Sequence, residues 1–284
     1  MQIFSIPATD DYLLASTLFE TNEDVRGIVC INSAGGVNQK FYHKYATYLA
    51  KNGFTALTWD VRGIAGSRPK KLKGFQADFE DWAEKDFKGV LNWLSEKYQQ
   101  KIHVIGHSIG GAYAGMIQEH ENIASLMTIA TQGAYYKDWD KSIRRKLYFQ
   151  WHILMPIITK LWGYFPGKKL GMLEDIPAGV ITDWHNRRKY PNLIDQHKAK
   201  GKKWGYHLLK MPMKVVGITD DPIGTTQGIE RFTKLFENPQ MEVQIISPQD
   251  IGTDKIGHFD FFRSKFKDTL WAMTLNWINS IKKQ

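Results

Sequence analysis

Cysteine occurs once in the 284 residues, at Cys30. No internal disulfide can form, and a lone thiol inside an apolar run points to a reducing compartment. A run of about 20 apolar residues able to span a bilayer is also missing. The greasiest window, residues 147–162, is interrupted by Gln150, His152, Pro156 and Lys160. The opening MQIFSIPATDDY lacks the basic stretch and apolar core of a secretory signal. Together these absences predict a soluble, cytoplasmic protein. Zinc-finger, RNA-recognition and helix-turn-helix signatures are absent, so nucleic acid is not an expected partner. The cysteine and the nine histidines lack ligand spacing, so neither a metal nor an organic cofactor is expected.

What the chain does have is 43% hydrophobic and 13% aromatic residues, enough for a sizeable core. Its formal charge of +9 is unevenly spread: residues 137–214 hold 17 Lys+Arg against 6 Asp+Glu, while the remainder is slightly acidic. That segment also carries five of the ten tryptophans. A basic, aromatic-rich stretch suits an anionic substrate end or an anionic lipid surface. A solvated polar face above an apolar one is the plainer alternative.

Apolar, β-branched runs alternate with amphipathic ones. GIVCI, FTALTW, IHVIG, SLMTIA, KVVGI and VQII read as strands buried on both faces, after an antiparallel pair formed by QIFSI and YLLASTLFE. Helical periodicity places Phe41, Tyr45, Tyr48 and Leu49 on one face, and Phe79, Trp82, Val90, Leu91 and Leu94 on another. Strand and helix in alternation predict an α/β protein with a mostly parallel, doubly wound sheet. The rhythm stops at residue 131 and resumes near 212, too long a gap for a plain loop. It predicts an inserted, mainly helical cap over residues 131–211, between core segments 1–130 and 212–284.

The stretch KIHVIGHSIGGAYAG runs a strand into Ser108, with Gly106 and Gly110 two residues to either side. A sharp strand-to-helix turn strains the central backbone and crowds the flanking positions, which suits a serine nucleophile between glycines. A small polar turn residue is the alternative. The segment GGAYAGMIQEH reads as the helix that follows. A serine needs a base oriented by a third group. His258 follows the last strand and a glycine-containing loop, whereas His107 reads as a packing residue. After KVVGI, TDDP offers two carboxylates: Asp221 opens the turn and is favoured, with Asp220 as the alternative acid. An oxyanion needs two amides. Ile109 supplies one by position, and Ala34 or Gly35 in NSAGGV the other.

These motifs together resemble the α/β-hydrolase family. GHSIGG is similar to its nucleophile elbow, DVRGIAGS (residues 60–67) to the turn after its fourth strand, and TDDP and GHFDFF fall where its acid and histidine belong. More narrowly, NSAGGVNQKFY, GYFPGKKLGMLEDIPAGVITDW and IGHFDFFR look like a bacterial branch near the serine aminopeptidase and monoacylglycerol lipase-like enzymes. Many relatives carry His-Gly where this chain has Asn32-Ser33 or Ser33-Ala34. The resemblance implies an α/β-hydrolase fold, a structural role for Arg62, and a serine hydrolase working through an acyl-enzyme on a small ester-like substrate. A hydrophobic group, an anionic end and peripheral membrane contact are expectations from the cap. A non-catalytic relative and a membrane-surface protein are the competing readings, and the fold alone fixes no substrate.

Overall fold

The computed structural model describes residues 1–21 and 24–281. The leading strands β1 (Gln2–Pro7) and β2 (Leu13–Phe19) form the expected antiparallel pair. β3 (Gly27–Asn32), β4 (Phe54–Trp59), β5 (Ile102–His107) and β6 (Ile123–Ile129) follow. After an excursion containing the two-residue strands β7 (Tyr164–Phe165) and β8 (Ile176–Pro177), the chain returns as β9 (Met213–Ile218) and β10 (Met241–Ile246).

Eight of these strands make one sheet in the order β1-β2-β4-β3-β5-β6-β9-β10. It is parallel from β4 to β10 and antiparallel where β2 meets β4. β3, β4 and β9 are buried along their whole length, as continuous apolar runs require. β10 departs from that expectation. It is the sheet edge, and Val243 stands 46% exposed.

Helices cover both faces. On one side lie α1 (His43–Lys51), which stops where Gly53 adopts φ +86°, and the C-terminal α9 (Ala272–Ser280). Tyr45, Leu49, Phe262, Trp271 and Leu275 pack there. On the other lie α2 (Lys88–Tyr98), the short α3 (Tyr113–Met116) and α8 (Thr226–Thr233), with Phe87, Val90, Leu94, Ile229 and Phe232 in the core. Each such side chain contributes about 1.5–3 kcal/mol on burial.

The excursion between β6 and β9 is mainly helical. α4 (Lys141–Phe149) and α5 (Met155–Trp162) run on through a π-helical turn at Gln150–Leu154. α6 (Ala178–Asn186) and α7 (Leu193–Ala199) complete it. Ion pairs tie it to the segment that leads into α2. Lys200 Nζ reaches Glu80 and lies 3.0 Å from both Asp78 and Asp183, while His197 Nδ1 is 2.6 Å from Glu80. Burial lifts the Glu80 carboxyl, but His197 and Lys200 more than offset that and hold it at about 2. Asp183 is pushed up to about 6 by burial and by Glu80 beside it. Asp78, Glu80 and Asp183 are grouped closely enough to hold a cation. The Lys200 ammonium already contacts all three.

Arg62 has the structural place implied for it. It is buried between Asp86 (2.6 Å) and Asp10 (2.7 Å), and its carbonyl accepts the Trp82 indole N–H.

Candidate active site

β5 delivers Ser108 at its carboxyl end in a left-handed backbone conformation, φ +53°. The glycines around it are dictated by contact. A Cβ on Gly106 would stand 2.3 Å from Gly111 Cα, and one on Gly110 would stand 2.5 Å from the Ser33 carbonyl oxygen. The helix expected through residues 110–120 is far shorter: a 3-10 turn at Ser108–Gly111 leads into α3, which ends at Met116. Its carbonyls are claimed from outside, since Gly115 O accepts the Gly205 amide and Ala114 O lies 2.8 Å from His120 Nε2. A helix this short has little macrodipole, so charge stabilisation at Ser108 falls to individual amides.

The two carboxylates after β9 divide the work. Asp221 Oδ2 lies 2.6 Å from His258 Nδ1, and its Oδ1 accepts the amides of Ile223 and Gly224, both at 2.8 Å. Burial lifts this carboxyl, but His258 and the two amides outweigh it and hold it below the ordinary carboxylate value. An ionised carboxylate only accepts, so Nδ1 carries the proton and Nε2 is left as the basic nitrogen. Asp220 instead accepts the amides of Ile256 (3.0 Å) and Gly257 (2.9 Å), which pins the loop bearing His258.

His107 is more than packing. It is fully buried, and burial together with the neighbouring His258 lowers its pKa to about 3, so the ring is neutral. Its Nε2 faces the His258 carbonyl at 2.8 Å and must donate. Nδ1 therefore accepts from Tyr42 Oη, also at 2.8 Å. Tyr42 Oη in turn accepts the Ala34 amide at 2.9 Å. A single directional chain thus runs from Ala34 through Tyr42 and His107 to the backbone of His258. It corrects one expectation: the Ala34 amide is spent on Tyr42, leaving Gly35 as the second candidate donor. Tyr42 was not singled out from sequence, although it closes the stretch NSAGGVNQKFY. Asn32 braces the same corner, donating to Gly110 O (3.1 Å) and accepting from Trp59 Nε1 (3.1 Å).

Ser108, Ile109, Gly35 and His258 line one cavity. Its bonded part runs from Asp221 to His258, and Ser108 joins through the shared wall. The excursion supplies Trp151, Leu173, Trp184, Arg187 and Leu193; Phe79, Ile223 and Phe259 come from around the sheet. Trp184 packs so close that a Cβ on Gly35 would stand 2.7 Å from its ring. The centres of water-sized spheres have about 70 Å³ of room here, space for a few waters or a short chain.

A parallel sheet with helices on both faces, a strained serine at the end of β5, and an acid–histidine pair after β9 and β10 define an α/β-hydrolase. Within that class the chain belongs to the serine aminopeptidase S33 hydrolase family, whose model matches residues 23–221. Among solved structures it is similar to a soluble variant of monoglyceride lipase from Saccharomyces cerevisiae, in complex with a substrate analogue. The TM-score is 0.71 at 16% identity, covering 100% of this chain and 95% of that one. It is also similar to a Paleococcus ferrophilus monoacylglycerol lipase (TM-score 0.63, 14% identity, 99% and 100% covered). A thermophilic esterase from Thermogutta terrifontis is a further likeness (TM-score 0.63, 16% identity, 99% of each chain). No curated protein matches the chain by sequence search.

Proposed function

We propose that the protein hydrolyses carboxylic esters through an acyl-enzyme formed on Ser108. The observation that carries this reading is the 2.6 Å bond from His258 to Asp221 beside a cavity shared with Ser108. In the first half-reaction His258 Nε2 takes the Ser108 proton as Oγ attacks the carbonyl, then gives it to the departing alcohol. Water repeats the sequence to release the acid. Asp221 fixes the imidazole tautomer and stabilises the imidazolium. The amides of Ile109 and Gly35 hold the oxyanion, each worth about 10²–10³ in rate. Residues 131–211 act as a cap that roofs the cavity, and their tryptophans and leucines favour a short apolar acyl or alcohol group. That relatives in fold are named lipases and esterases supports ester over amide chemistry.

A p-nitrophenyl ester chain-length series on the wild type and Ser108→Ala, with fluorophosphonate labelling, tests this. The expected result is labelling of the wild type alone and a fall in kcat of about 10⁴-fold or more in the variant. Activity unchanged by Ser108→Ala would overturn the mechanism.

One observation favours an added role at lipid surfaces. Phe149, Ile153, Ile157, Leu161 and Trp162 form an exposed stripe on α4 and α5, flanked by Lys141, Arg145 and Lys146. Such a face suits lying in the headgroup region of an anionic membrane. No helix among the described residues is long and apolar enough to cross one. Binding to anionic liposomes that weakens with salt is expected, and absence of binding at low salt sinks this role.

A further inference from the structure

Arg187, just after α6, is 1% exposed. All its hydrogen-bond partners are uncharged: Nε donates to the Gly133 carbonyl, and Nη1 to the Asn192 carbonyl (3.2 Å) and Gln196 Oε1 (3.3 Å). Its Nη2 is sealed from solvent and donates to no group among the described residues. The acids that surround it are committed elsewhere, Asp138 to Arg231, Asp183 to Lys200 and Asp195 to Asn192. A buried cation with unused donors is costly unless something anionic meets it. Arg62, the other deeply buried arginine, shows the usual solution, with two carboxylates on its guanidinium.

Arg187 lines the cavity that holds Ser108 and His258, and no Asp or Glu among the described residues lines it. Gly133 leaves its side of the guanidinium open, since a Cβ there would stand 3.1 Å from Nη2. Burial lowers the Arg187 pKa to about 10, so the group is still a cation at neutral pH.

We propose that Arg187 is a specificity-determining residue that receives a carboxylate carried by the substrate at the end remote from the scissile ester. The substrate class is then a short ester with a free carboxylate on its acyl or its alcohol part. This rests on the ester-hydrolase reading of the site. The carboxylate meets the guanidinium where Arg187 lines the cavity and neutralises that cation. A neutral chain of the same shape would leave that cation unmatched.

The test compares paired esters in the wild type, Arg187→Met and Arg187→Lys, with spontaneous rates subtracted. One pair places the carboxylate on the acyl side, p-nitrophenyl hydrogen glutarate against p-nitrophenyl 5-methylhexanoate. The other places it on the alcohol side, 4-carboxyphenyl butyrate against 4-nitrophenyl butyrate. For at least one pair, the ratio of kcat/KM, anionic over neutral, is expected to fall at least tenfold in Arg187→Met, with partial recovery in Arg187→Lys. Ratios unchanged in both pairs overturn the proposal. A second measurement stands without turnover or the arginine variant: calorimetry of glutarate and of 1,5-pentanediol on Ser108→Ala. Binding of glutarate alone is the expected result, and binding of neither, or of both equally, overturns it. Glutarate binding without hydrolysis of any ester would sink the hydrolase reading while leaving the anion site. Ester hydrolysis without glutarate binding would do the reverse.

Discussion

Ser108 holds φ +53° against the preference of any side chain with a Cβ, a conformation that costs about 1–3 kcal/mol. Glycine adopts it freely. Ser108→Gly is therefore expected to abolish hydrolysis while raising stability by about 1 kcal/mol, or roughly 2–4 °C in Tm; a lower melting temperature would contradict the strain. Asp221 and Asp220 separate by readout. Asp221→Asn removes the tautomer control and is expected to lower kcat by about 10³–10⁴-fold. Asp220→Asn loosens a loop and is expected to cost about tenfold or less. Equal losses would dissolve that division. Asp221 sits below its ordinary value, so its stabilising effect is full above the unfolded value of about 3.9 and is lost as pH falls through the folded one. The serine, the histidine and the acid pair were legible because strand ends and glycine spacing announce them. Tyr42, His107 and Arg187 were not, because their roles come from partners far apart in sequence.

At the level of elements, the inserted segment depends on one small polar knot. Lys200 bridges Glu80 and Asp183, both 4% exposed. Lys200→Met strands the Asp183 carboxylate and is expected to cost about 2–4 kcal/mol at pH 8. The deficit should shrink towards pH 5, where Asp183 takes up a proton. Equal costs at both pH values would show that the charge is not what matters. The mainly helical stretch between β6 and β9 falls where the strand rhythm breaks. Helix lengths were less legible. After His258 two 3-10 turns, at Asp260–Phe262 and Ser264–Phe266, precede a π turn and α9. The Trp271 indole N–H takes the Phe261 carbonyl at 2.8 Å, and Phe261, Phe262 and Phe266 are buried. Tertiary anchoring, which periodicity does not record, overrides helix propensity there.

Across the whole molecule, buried titratable groups set an acid response. Burial lowers His103 and His152 to about 4 and His107 to about 3. Between those values and about 6.5 the unfolded chain binds more protons at each, so their contribution falls as pH drops. Asp86, pushed up to about 7 by burial, and Asp183, at about 6, act in the opposite sense. His43, His120 and His185 are lowered in the same sense as His103, His107 and His152, and together they outnumber the raised carboxyls of Asp60, Asp86 and Asp183. Urea midpoints should therefore decline gently from pH 6 to 4.5, more steeply in Asp183→Asn and less so in His103→Leu. Stability that rises on acidification would refute the balance. The mostly parallel sheet follows from strand–helix alternation and was legible at this scale. The knot around Lys200 was not, because charge runs do not reveal which cations become buried.

Cys30 lies wholly buried in β3, between β4 and β5, and burial pushes its thiol up to about 12. With no second cysteine in the chain, the protein carries its own clock for global opening. A maleimide should modify it only when the middle of the sheet separates, so the labelling rate at low denaturant should follow the unfolding equilibrium. Any surface position changed to cysteine would label at once, giving a single-site handle on residues 131–211 without removal of the native thiol.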